Sequence, residues 1–218
     1  MRLRRKTTET AAGAAATEAD SGSEGSGPDA DAPAAGPYDA DELPDDGLPR
    51  LDLGSLLVAP SGEHELRVQV DEQSGAVRAV LLATDAGALE LRAFAAPRNG
   101  DLWSDIRPQI AADAARRGGT ATEREGRFGT ELVCEVRTTR SDGVVGTQTS
   151  RVLGINGPRW LLRATFLGEP AREPDSAEEW ETAIAQVAVR RGSHAMPVGE
   201  QLPLTLPEGA QPKAVPAT

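Results

Sequence analysis

Period-two alternation of apolar and polar residues, turn residues at regular places and two longer stretches with helical spacing together predict an α+β fold. The expected body is an antiparallel sheet of two three-stranded meanders, each followed by a covering helix. In "HELRVQV", Leu66, Val68 and Val70 point one way and Glu65, Arg67 and Gln69 the other, as in a half-buried strand. "DEQSG" is turn chemistry, "AVRAVLLA" a second strand, "TDAG" a second turn, and "ALELRAFA" a third strand with Leu89, Leu91 and Ala93 on one face.

"NGDLWSDIRPQIAADAARRGG" then changes period. Leu102, Ile106, Ile110 and Ala114 form a stripe at helical spacing, with Trp103 beside them, and Gly118 and Gly119 supply a stop. Pro108 falls inside that stripe. It predicts a kink or a later start, because proline removes a helix hydrogen bond and crowds the preceding turn. "GTATEREG" follows as a linking segment compatible with a further strand. The second meander reads "ELVCEVRTT", a turn at Ser141 to Gly143, "VGTQTSRVLGI", a turn at Asn156-Gly157 and "RWLLRATFL". A second helix opens at Asp175 or Ser176, with Glu178 and Glu179 placed for a capping box and Trp180, Ile184 and Val187 as its buried stripe. A short strand around Val187 to Arg190 follows it. In element order this resembles the α/β/α sandwich of the Mog1 and PsbP proteins.

The ends of the chain differ from its middle. Residues 1–35 read as a disordered tail, because Ala, Glu, Asp, Ser, Gly and Pro cannot bury enough surface to offset ordering entropy. Residues 36–192 form one expected domain, and 193–218 an extended Pro-rich tail. Within the domain, 36–56 is expected to dock on its surface through Tyr38, Leu43, Leu51 and Leu53, with Leu56 continuing the contact and the acidic residues left in water. "QLPLTLP" mirrors it, with Leu202, Leu204 and Leu206 alternating along a segment expected to lie extended on the same sheet.

Charge and composition exclude several functions. A net charge of -11 leaves no clustered cations with which to displace counterions, so nucleic acid is not expected as a partner. No apolar run reaches membrane-span length, so no stable membrane insertion is expected, and the stretch after "RLRRK" is too polar for an export signal. Arg2 to Lys6 leaves peripheral lipid contact as the weakest of three readings. A single cysteine fits a reducing, cytoplasmic setting.

Chemistry-bearing residues are few. Cys134 lies between Leu132 and Val136 on the apolar face of a strand and reads as a buried structural thiol. His64 in "GEHE" has carboxylates on both sides, but neighbours in a strand point to opposite faces, and His194 sits at the start of the tail. Asp39, Asp41, Glu42, Asp45 and Asp46 lack the spacing of a calcium loop and are interrupted by Pro44. There is no dinucleotide fingerprint, phosphate-binding GK[ST], nucleophile elbow or HExxH. No catalytic, cofactor or metal residues are assigned, and no cofactor is expected. Arg98, Trp103, Arg159 and Trp160 are types enriched at binding hot spots, although each tryptophan also falls on a core stripe.

"GPYDADELPDDGLPRLDLGSL", "LRVQVDEQSGAV", "LELRAFAAPRNGDLW", "GRFGTELVCEV", "VLGINGPRWLLRATFLG" and "LPLTLP", in that order, resemble an actinobacterial family, the domain of unknown function numbered thirty-seven ten. The resemblance runs from Gly36 to Leu206. It implies a cytoplasmic protein of unknown role and carries no catalytic residues. The function expected from the sequence is a non-catalytic protein-binding or adaptor module. The alternative is an enzyme or small-ligand protein with a pocket between sheet and helices, anchored by Arg98 and Arg159.

Overall fold

A computed structural model describes residues 36–59, 62–139, 143 and 145–206. The expectations for residues 1–35, for Ser141 and for the chain beyond Leu206 lie outside them. Seven strands form one antiparallel sheet: β4 (Glu65–Val70), β5 (Val77–Ala83), β6 (Gly87–Ala95), β7 (Thr120–Gly126), β8 (Gly129–Thr139), β9 (Val145–Gly157) and β10 (Trp160–Gly168). Their order across the sheet is β4-β5-β6-β10-β9-β8-β7. The two meanders therefore join through their last strands, with Trp160 opposite Ala95 and Gly168 opposite Gly87. The linking segment after the first helix is itself a strand, so the second meander has four strands where three were expected.

Helices cover both faces of this sheet. Along β6 and β10, Leu89, Leu91, Ala93, Leu162, Ala164 and Phe166 point into one core, and Phe94 and Leu161 into the other. Helix α1 (Leu102–Arg116) lies on the second face and contributes Leu102, Trp103 and Ala114. A helical turn, α2 (Glu169–Arg172), and helix α3 (Glu178–Ala185) lie on the first, where Trp180 and Ile184 are buried. The fold is the expected α+β class.

Three local expectations change. Helix α1 runs through Pro108, whose ring is exposed, and Gln109 Nε2 donates to the Asp105 carbonyl at 3.1 Å one turn back. The β9–β10 turn sits two residues later than Asn156-Gly157. Trp160 pairs with Gly157, so Pro158 and Arg159 make the turn, with Arg159 in the left-handed region at φ 64. Asn156 is left free to tie down α1: its Nδ2 donates to Asp101 Oδ1 at 2.7 Å, and its Oδ1 accepts from Trp103 N at 3.3 Å. The capping box before α3 does not form. A 3-10 turn over Pro174–Ala177 leads into the helix, and Ser176 Oγ donates back to the Glu173 carbonyl.

A second, four-stranded sheet closes the first face. It contains β1 (Tyr38–Asp39), β2 (Leu51–Asp52), β3 (Leu56–Val58) and β11 (Ala188–Val189), in the order β1-β11-β3-β2. Leu53 and Leu56 are buried, Tyr38 and Leu43 are half-buried, and Leu51 is exposed on the outer strand. Asp39 Oδ2 accepts from Trp160 Nε1 at 2.9 Å, which fastens this segment to the main sheet. The segment 199–205 fills a gap between β5 and β6. Those strands pair only from Val80–Leu91 to Ala83–Ala88, and beyond that point Leu202 N donates to the Ala93 carbonyl and Thr205 N to the Leu53 carbonyl. Leu202 and Leu204 are buried there, each contributing roughly 1.5–3 kcal/mol by leaving water.

Two tryptophans set the backbone beneath them. A Cβ at Gly154 would sit 2.4 Å from the Trp103 ring, and one at Gly157 would sit 2.1 Å from the Trp160 ring, so only glycine admits the indoles at these points.

Candidate functional site

The second face of the sheet is only partly covered. Helix α1 packs over β7, β8 and β9, and between it and β6 and β10 a groove of about 600 Å³ stays open. One wall is the stripe of α1, where Leu102 is buried at one end while Ile106 and Ile110 are half-exposed. The floor beneath carries short side chains, Cys134, Ser150 and Thr165, with Val152 and Phe94. Large residues facing short ones leave space that neither side fills.

The sheet end of the groove is charged. Arg92 pairs with Glu90, its Nη2 donating to Oε2 at 3.0 Å while Nε lies 2.9 Å from Oε1 without making a hydrogen bond. Arg163 reaches the same carboxylate only at 3.8 Å and stacks over the Phe94 ring at 5.2 Å. Its Nε is buried without a hydrogen-bond partner. Two guanidiniums thus share one carboxylate, a surplus of one positive charge. Burial pulls the Arg163 guanidinium below its usual range, repulsion from Arg92 adds to that, and Glu90 opposes both. It remains a cation whose charge is poorly compensated. At the other end, Asp113 pairs with both Arg116 and Arg117, at 2.9 and 3.3 Å.

The residues singled out in the sequence lie elsewhere, apart from Cys134. Trp103 and Trp160 are buried, as their core stripes required, and their indole nitrogens donate to the Thr130 carbonyl and to Asp39. Arg98 is exposed, and Arg159 lines a separate depression with Asp39, Asp41, Glu42, Arg190 and Arg191. Neither arginine lies among the residues that line the groove. Cys134 is buried in the groove floor, and burial pushes its thiol up while Arg117 pulls it back slightly. His64 lies on the opposite face, edge-on to Trp180 at 4.2 Å between ring centres. Asp46 is held at about 2, chiefly by its hydrogen bond to Arg50. Among the described residues, no group of three or more His, Cys, Asp and Glu could hold a metal ion, and no helix is long and apolar enough to cross a membrane.

A second polar cluster, on the closed face, was invisible as a site in the sequence. Arg151 and Glu131 are buried 3.2 Å apart, Arg124 and Glu181 bond to them from β7 and α3, and Arg151 stacks on Phe166 at 4.2 Å. The only signal was a charged residue on the inward side of each of two strands. This cluster joins sheet to helix and lines neither the groove nor the depression around Arg159.

Comparison with known proteins adds a family and little else. No curated protein matches. A crystal structure of a protein from Bacteroides thetaiotaomicron VPI-5482 is similar at 15% identity and a TM-score of 0.37, over 66% of this chain and 48% of that one. The chain therefore spans about half the length of the solved structure it matches. The model of the family described as protein of unknown function (DUF3710) matches residues 36–213, and the chain belongs to that family.

Proposed function

We propose that this DUF3710 member is a ligand-binding protein that holds an anionic group in the groove between α1 and the sheet, without turning it over. The observation that carries the reading is Arg163, a part-buried cation that lines the open groove and comes no nearer than 3.8 Å to the Glu90 carboxylate it shares with Arg92. A concave site with converging polar groups favours small-ligand binding over the adaptor role. The anchor is then Arg163 in place of Arg98 and Arg159. Binding without chemistry is supported by Cys134, whose buried thiol is pushed away from its reactive form, and by His64 standing on the other face. Thermal unfolding with added carboxylates and phosphate tests it. Anions at millimolar concentration are expected to raise Tm in the natural chain and not in Arg163→Met. An unchanged Tm with every anion would remove the reading.

The protein-binding reading is favoured by a different feature. Among the described residues β4 has a neighbouring strand on one side only, so the outer edge of residues 67–70 offers backbone groups to an extended partner segment. Such a partner would slow amide exchange in residues 67–70, and slowing confined to the α1 groove would count against it.

A further inference from the structure

Resting on the anion reading, we infer that the ligand is an amphiphile: a monoanionic head at Arg163 with an unbranched apolar tail lying along α1. The charge at the sheet end sets the head. Arg92 does not line the groove and is engaged by Glu90 and by Gln69 Oε1 at 3.3 Å, which leaves Arg163 with a surplus of one charge, matched by a carboxylate better than by a phosphate dianion. The far rim carries the same surplus, two arginines on Asp113, but both side chains are more than half exposed and water screens their charge, which makes them weak anchors beside Arg163.

The wall sets the tail. In a helix packed on a sheet, the middle of the apolar stripe is normally its most buried part. Here the middle, Ile106 and Ile110, is more exposed than Leu102 and Ala114 at the ends. Ser150 and Thr165 are too short to meet it from the floor. The residues lining the groove run from Leu102 to Arg117 on α1, a path of about 22 Å at the helical rise. A chain of methylenes would supply the missing contacts along that path, and a compact polar anion would leave them unmade.

Titration calorimetry of the full chain with hexanoate, octanoate, decanoate and inorganic phosphate, below micelle formation, tests this. Each added methylene is expected to tighten binding about two- to fourfold, four being the value for complete burial. Decanoate should then exceed hexanoate by on the order of 100-fold, on the same per-methylene basis. Arg163→Met should weaken every carboxylate at least tenfold, roughly the loss of one charge-assisted contact. Ser150→Leu, which fills the floor, should bring decanoate down to the level of hexanoate while hexanoate is unchanged. Thr165→Ile serves the same purpose with a smaller added volume should the leucine fail to fold. Binding of phosphate and all three carboxylates with equal affinity, still lost in Arg163→Met, would overturn the amphiphile and keep the anion site. Binding of none of them would overturn both.

Discussion

The two faces of the seven-stranded sheet come from the same alternating strands and end in opposite states. One is sealed by α3, by the four-stranded sheet and by the segment 199–205, and its large side chains are dry. Among the described residues the other has α1 alone, and beside that helix the sheet carries Glu90, Arg92, Arg163 and Thr165 where the sealed face carries leucine and phenylalanine. A single helix about 10 Å wide cannot roof seven strands spaced nearly 5 Å apart. The sequence of the uncovered strands has adapted to that geometry, and a charged, solvent-filled groove is the result.

The contrast can be broken most severely at Arg151. On the sealed face, Arg151→Met leaves buried Glu131 with Arg124 alone and takes from Glu181 its arginine, one negative charge in excess, and urea unfolding should show a loss of about 3–5 kcal/mol. Adding Glu131→Gln to the same chain should restore much of it, since that removes the excess negative charge. A single variant as stable as the natural chain would mean that water reaches the cluster.

The same chemical change made on each face sharpens the comparison. Ile184→Ala, at a fully buried position, should cost about 2–5 kcal/mol. Ile106→Ala, half-exposed over the groove, should cost less than about 1.5 kcal/mol, because little contact is lost. Equal losses would show the groove to be closed in solution. Smaller again is Asp39→Ala. Removing the acceptor of the Trp160 indole should cost about 1–2 kcal/mol and speed amide exchange in residues 36–58 more than in the β6–β10 ladder.

The smallest effect is a pH dependence at the β4–β5 turn. Asp71 is held at about 2, first by the Ser74 hydroxyl and then by the Ser74 backbone and Arg78. A folded value below the unfolded one means that its contribution is complete above about pH 4 and lost as pH falls toward 2. The thermal midpoint of Asp71→Asn should therefore lie below the natural one at pH 5, with the gap closing by pH 2. A gap independent of pH would assign the difference to turn geometry.

What the sequence made legible follows the range of the forces involved. Strand alternation and the α1 stripe are local, and Leu66, Leu91, Leu102 and Trp180 stand where their periods put them. Asn156-Gly157 misled because its turn signal competed with Pro158, whose fixed φ suits the first turn position, while tertiary contacts claimed Asn156 for the end of α1. The groove was not legible. It depends on β10 lying beside β6, which brings Arg163 opposite Arg92 from residues 71 positions apart, and nothing local in "LLRATF" marks that arginine as different from its neighbours.

Residues 199–205 also bear on how the chain is made. A ribosome delivers Leu202 and Leu204 after every strand of both sheets, yet they occupy the seam between β5 and β6, while Thr205 N donates to the Leu53 carbonyl and the Pro203 carbonyl accepts from Ser55 N. Until they emerge, the nascent protein exposes an apolar slit flanked by unpaired strand backbone, the kind of surface on which chaperones and aggregates compete. A message truncated just before Leu202 would lock the product in that adhesive condition, although every helix and strand had already been synthesised.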